Sequence, residues 1–310
     1  SNTNSGVLYS DLQSAVHGAN DGNEIRVRDM VLTRTDEQLN ALALTNGVFI
    51  TNKNNLRIIG GYDAAFAVQT GYTVLDGMGS SSVSNRLVYI ANLTNLSFDG
   101  FVIQRGGSNA GVPQLDGTGV YAVGIARSFI SNVIVSNNSS TNGGGIALSA
   151  CTNIVLDVHV FRNTNAYFGG GISLDSCISN VVNGSVAQNS AGDNGGGVSL
   201  YRDRSSIVNA DVGSNFSSTT GGGVELYLCS NSRVTGSMFS NTGNGGGGGA
   251  HVWYSTNCSI TGALINNYAP SGCIGGGLYL IYGSNNTIDA TISNNIGGIG
   301  GGVVIRSSMG

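Results

Sequence analysis

The stretch Gly169-Gly170-Gly171-Ile172-Ser173-Leu174-Asp175-Ser176-Cys177 is followed 26 residues later by Gly195-Gly196-Gly197-Val198-Ser199-Leu200-Tyr201-Arg202-Asp203. The two segments share a glycine triplet and then a strand-like alternation. Working outward from them, triplets start at Gly143, Gly169, Gly195, Gly221, Gly247, Gly275 and Gly300, in steps of 26, 26, 26, 26, 28 and 25 residues. Gly117-Thr118-Gly119 heads an earlier copy. A repeat of this length and regularity is the signature of a solenoid, in which each unit buries its apolar face only by stacking on its neighbours.

Counting from the first glycine, position four reads Val120, Ile146, Ile172, Val198, Val224, Ala250, Leu278 and Val303. Position six reads Ala122, Leu148, Leu174, Leu200, Leu226, Val252, Leu280 and Ile305. This period of two predicts a strand with one buried face. A second alternating run follows in each unit, as in Leu156, Val158 and Val160, with small residues such as Gly184, Gly236 and Gly262 at its centre. Fifty glycines oppose helical units. Two strands per unit predict an all-β fold, a parallel β-helix of about 26 residues per coil. Asn137, Asn163, Asn189, Asn215, Asn241, Asn267 and Asn295 form one column. At a coil spacing of about 4.8 Å their amides bond from coil to coil, so the column reads as an inward ladder. Each triplet runs into a strand rather than a helix, so it reads as a tight corner and not a phosphate loop.

The first 116 residues read as the entrance to the solenoid. Ser10-Asp11-Leu12-Gln13-Ser14-Ala15-Val16 predicts a capped amphipathic helix that closes the open end. Strands follow around Ile25, Phe49, Ile58, Leu75, Val88 and Phe98, with an excursion over residues 64–71. The expected organisation is one domain, 1–310, with a cap and irregular coils over 1–116 and regular coils over 117–310. The chain stops at Ser308-Met309-Gly310 just inside a new coil. A truncated solenoid is expected at that end, continued by further coils or covered by self-association, because a bare edge invites pairing.

Asp11-Leu12-Gln13-Ser14-Ala15 leading to Gly22-Asn23-Glu24-Ile25-Arg26-Val27, together with Ile59-Gly60-Gly61-Tyr62, Thr73-Val74-Leu75-Asp76-Gly77 and the glycine-triplet coils, resembles the secreted bacterial right-handed parallel β-helix proteins of the pectate-lyase-like superfamily. The resemblance implies an extracellular or cell-surface location. It also implies a role among surface proteins, adhesin-like proteins and polysaccharide-active enzymes. Fold transfers across such a superfamily better than function does.

Charged residues make up 10% of the chain and the formal net charge is −4, which leaves no basic footprint for nucleic acid. No apolar run reaches the length of a membrane span, and the start at Ser1 reads as a mature or engineered N-terminus. Cys151, Cys177 and Cys229 share a column and read as an unbridged buried stack, with a Cys151–Cys177 disulfide, one coil apart, as the alternative. Neither a metal-ligand spacing nor a cofactor motif is recognised.

If positions four and six point inward, positions five and seven point outward. They carry Glu225, His251 and Tyr279 in one column and Asp175, Tyr201, Tyr227 and Trp253 in the other. Tyr201, Arg202, Tyr227, Trp253, Tyr254 and Tyr279 are the candidate ligand-binding residues, because flat aromatic strips suit sugar rings. The alternatives are a protein contact or cross-strand stacking without a ligand. For an enzyme, Glu225 and His251 on adjacent coils form the best acid-base pair, with Asp175 as a second carboxylate. As a merely structural feature the same pair would be a solvated surface contact. The expected function is a secreted or cell-surface scaffold for adhesion or glycan binding. The alternative is a polysaccharide hydrolase or lyase on the same face.

Overall fold

The computed structural model describes residues 1–33, 46–78, 86–107, 116–165 and 167–307. The chain winds into a parallel β-solenoid with a pitch of about 26 residues, and its only described helix is Leu12–Gly18. The stop at Ser308-Met309-Gly310 lies outside the described residues.

Strands that follow the glycine triplets stack in register into one face. Ile146–Ser149 pairs with Ile172–Asp175, then Val198–Tyr201, Val224–Tyr227, Ala250–Trp253, Leu278–Ile281 and Val303–Arg306. Leu148, Leu174, Leu200, Leu226 and Val252 thereby fall in one buried file. The second face is built from strands such as Val155–Phe161, Val181–Ala187 and Ile207–Gly213. At its centre a Cβ on Gly236 or Gly262 would fall on the backbone carbonyl of the preceding coil, which accounts for the small column. A third face was not expected. It consists of Ser139–Ser140, Thr164–Asn165, Ser190–Ala191, Phe216–Ser217 and Thr242–Gly243. Two-residue strands are too short to leave a period in the sequence, so two strands per unit become three.

The asparagine ladder lies inside the solenoid with one correction. Asn163 donates from N and Nδ2 to Asn189 Oδ1 at 2.9 and 3.0 Å, Asn189 does the same to Asn215, Asn215 to Asn241 and Asn241 to Asn267. Asn138, not Asn137, occupies the rung above and donates to Asn163 Oδ1 at 3.0 and 2.9 Å. Asn137 is exposed with φ 56°. The cause is an extra residue at Asn132, where strand Phe129–Ser136 slips its register against Val155–Phe161.

The N-terminal helix caps the first coil through specific hydrogen bonds. Asp11 accepts from Ser14 N at 2.7 Å, and Leu12, Ala15 and Val16 turn inward. Gln13 then satisfies the edge strand Asn46–Thr51, accepting from Phe49 N at 2.6 Å and donating to Phe49 O at 3.2 Å. Lys53, the single lysine of the chain, donates to His17 O and Ala19 O at the helix C-terminus. The excursion over residues 64–71 is a small antiparallel loop closed by Asp63 N to Val68 O and Thr70 N to Gly61 O.

The triplet glycines are required by space as well as by conformation. The first of each has a left-handed backbone, for example Gly195 at φ 65° and Gly221 at φ 65°. At Gly222 a Cβ would overlap the Thr242 backbone and lie 2.6 Å from Gly248 O. Gly222→Ala is expected to cost about 2–4 kcal/mol, since rigid backbone on both sides must move. Urea unfolding checks this, and a loss below about 0.5 kcal/mol would show that the corner has room.

Candidate functional site

Position five of the triplet strand is covered from Ser199 to Tyr279. Ser199, Glu225, His251 and Tyr279 are 2%, 1%, 4% and 8% exposed. The expectation that Glu225 and His251 stand on an open surface is therefore corrected. The reason is the glycine corner, whose left-handed turn lays backbone against this column. A Cβ on Gly195 would lie 2.7 Å from Ser199 Cβ, one on Gly221 3.1 Å from Glu225 Cβ, and one on Gly247 3.1 Å from His251 Cβ.

In this covered file, His251 Nδ1 lies 3.3 Å from Glu225 Oε1. Burial pushes the Glu225 carboxyl above the usual carboxylate range, against the opposing hydrogen bonds from His251 and Ser199. His251 stacks on Tyr279 at 5.3 Å. Tyr279 is thus a wall behind the histidine and not an open sugar platform, which corrects its expected role.

Position seven is half-buried and carries the aromatic strip as expected. Tyr201 and Tyr227 lie 5.4 Å apart between ring centroids, and Tyr227 stacks on Trp253 at 4.7 Å and 20°. Beyond the strand end, Trp253 stacks on Tyr254 at 5.4 Å and Tyr254 on Tyr282 at 5.0 Å. Tyr254 and Tyr282 are 45% and 47% exposed and adopt left-handed backbones, the conformation that Ala150, Ser176, Arg202 and Leu228 take at the same corner. Arg202 lays its guanidinium over the Tyr201 ring at 4.7 Å. Trp253 Nε1 is buried without a hydrogen-bond partner.

Next to the strip is a groove of about 240 Å³. Its floor is the small-residue part of position five, Ala147, Ser173 and Ser199, and its ends are Tyr121 on one side and Tyr227 with Glu225 on the other. Asp175 lines the same groove, so both predicted carboxylates reach one site. Asp116 and Asn142 were not expected there. They precede the first glycine of their units, and the corner swings that position over the face. Polar residues just before a triplet were the available signal. Asn142 donates to Asp116 Oδ1 at 2.8 Å, while its own Oδ1 is buried and unpartnered.

All the described cysteines are free thiols, with Cys151, Cys177, Cys229 and Cys258 buried. Among the described residues no three His, Cys, Asp or Glu side chains converge on a metal-sized site, and no helix is long and apolar enough to cross a membrane.

No protein-family model matches this chain, and no curated protein matches it. The parallel β-solenoid stands on the coil register alone.

Proposed function

We propose that this chain is a rigid glycan-binding scaffold, extracellular or at a cell surface, that serves adhesion through the aromatic strip and the groove beside it. A kinship with pectate-lyase-like β-helix proteins belongs to the same reading. The observation that carries the reading is the continuous file of stacked rings Tyr201, Tyr227, Trp253, Tyr254 and Tyr282, half-buried along the strands and open at Tyr254 and Tyr282. Sugars offer an apolar ring face that stacks on such aromatic faces. Parallel coils hold the rings in place without a ligand, so little entropy is lost on binding.

A second reading is a polysaccharide hydrolase or lyase. It is favoured by one feature, a buried carboxyl whose pKa burial raises, beside a histidine and lining the groove that Asp175 also lines. Two carboxyl side chains lining one groove suit glycosidic-bond cleavage.

One experiment separates the two. The purified protein is screened on a polysaccharide panel for retention and for released sugar or unsaturated product. Trp253→Ala is expected to weaken retention about tenfold or more, a loss of about 1.4 kcal/mol, without changing the folded baseline. Retention that survives Trp253→Ala would remove the strip from the binding site. Product that disappears in Glu225→Gln would make the protein an enzyme.

A further inference from the structure

We infer that Tyr254 and Tyr282 form an oxidative cross-linking site, where a one-electron oxidant of the haem-peroxidase class joins the two rings into a dityrosine. The inference goes beyond the glycan reading and stands without it. Both residues sit at the corner that follows the triplet strand, one coil apart. Tyr254 N donates to Ile281 O at 3.2 Å, and the two backbones share the left-handed conformation at φ 47° and 53°. Their side chains therefore leave the corner in one direction, and the rings stack at 5.0 Å and 17°.

Exposure and alignment separate this pair from the other tyrosine contacts. Tyr254 and Tyr282 are both exposed, so an oxidant reaches each phenol. Tyr201 and Tyr227 are half-buried and tilted by 31°, with Arg202 over the Tyr201 ring. Tyr89 and Tyr121 are half-buried and tilted by 52°, with Arg86 against both rings. Tyr227 lies farther from Tyr254, at 6.5 Å and 45°. Tyr268 is exposed, but its neighbours on adjacent coils are Thr242 and Ile296.

The oxidised haem takes one electron from each phenol, and each phenolic proton passes to water. The two phenoxyl radicals join through a carbon–carbon bond between the ring positions beside the hydroxyls, and the hydrogens at those carbons return to the oxygens. Hydrogen peroxide takes up the electrons and protons and leaves as water. Stacked coils hold the rings as neighbours before either is oxidised, so coupling within the chain outruns coupling between chains. The product ties two consecutive coils by a covalent bond.

The test is treatment of the dilute, intact protein with a haem peroxidase and limiting hydrogen peroxide, read by dityrosine fluorescence, denaturing gel and mass spectrometry of a digest. A linked peptide pair containing Tyr254 and Tyr282 is expected from protein that runs as a single chain. Tyr254→Phe and Tyr282→Phe keep a ring in the stack and remove the phenol, and each is expected to cut the fluorescence about tenfold or more. Tyr268→Phe is expected to leave it unchanged. The same loss is expected for the unsubstituted protein in urea, where the coils no longer align the rings. Fluorescence that survives either variant at the corner, or that is undiminished in urea, would overturn the assignment. So would links found only between chains, or ring oxidation without coupling.

Discussion

Replacing Asn215 by Ala is expected to destabilise the protein by about 3–5 kcal/mol. Asn215 Oδ1 accepts from Asn189 N and Nδ2 at 2.9 and 3.0 Å, and Asn215 Nδ2 donates to Val186 O and Asn241 Oδ1 at 2.9 and 3.0 Å. All of these groups are buried, so alanine orphans donors that water cannot reach, each costing about 1–3 kcal/mol. Alanine also leaves a small void. The effect is concentrated between neighbouring coils, because a solenoid is stabilised by nearest-neighbour interfaces. Denaturant unfolding of Asn215→Ala measures it. The paired variants Asn138→Ala and Asn137→Gly sharpen the test, since only the first touches the ladder and glycine keeps the left-handed backbone of position 137. Asn138→Ala is expected to cost several-fold more than Asn137→Gly. Equal costs would place the ladder where the sequence column put it and contradict the register slip at Asn132.

Asp203→Asn is expected to stabilise the protein above neutral pH by about 3 kcal/mol relative to its effect in acid. Asp203 is fully buried in the file that holds Cys151, Cys177 and Cys229, and its carboxyl is pushed up to about 6, chiefly by burial. Ser206 Oγ and Ser232 Oγ donate to it at 3.0 Å each, and no described ion pair includes it. Its folded pKa lies above the unfolded value, so ionising it opposes folding. Below about pH 4 both states are protonated and the penalty is absent. Between about pH 4 and pH 6 the unfolded chain ionises first and the penalty grows, and above pH 6 it is complete. Asparagine does not titrate and keeps an acceptor for a serine, whose hydroxyl can rotate to accept from the new amide. Unfolding free energies of both proteins at several pH values should therefore diverge across this window and run parallel above it. Parallel curves across the whole range would mean that Asp203 is hydrated and ordinary.

Much of the architecture was legible because repeats print their geometry into the chain. The columns at Leu148, Leu174 and Leu200 are one file of core residues, and the glycine triplets are corners, both as the spacing implied. The stacked rings of Tyr201, Tyr227 and Trp253 were legible for the same reason, since identical strand positions must fall one above another. What failed did so where a single residue breaks the count or where a corner folds over a face. Asn137 was misplaced by the bulge at Asn132, a local backbone event that leaves no mark on the hydrophobic period. Tyr279 was misplaced on the open strip, because position five is covered there while the corner residue Tyr282 is open.

Period and composition by themselves determined a parallel solenoid, its coil length, its inward apolar files and its asparagine ladder, since stacking in register is the only way such short units bury their faces. Tertiary structure alone decided the chemistry of Glu225 and His251. Strand alternation says which side of the sheet a residue leaves from, but not whether backbone from a neighbouring corner lies on top of it. The left-handed turns at Gly221 and Gly247 bring that backbone down, exclude water from the pair and raise the cost of charge on Glu225.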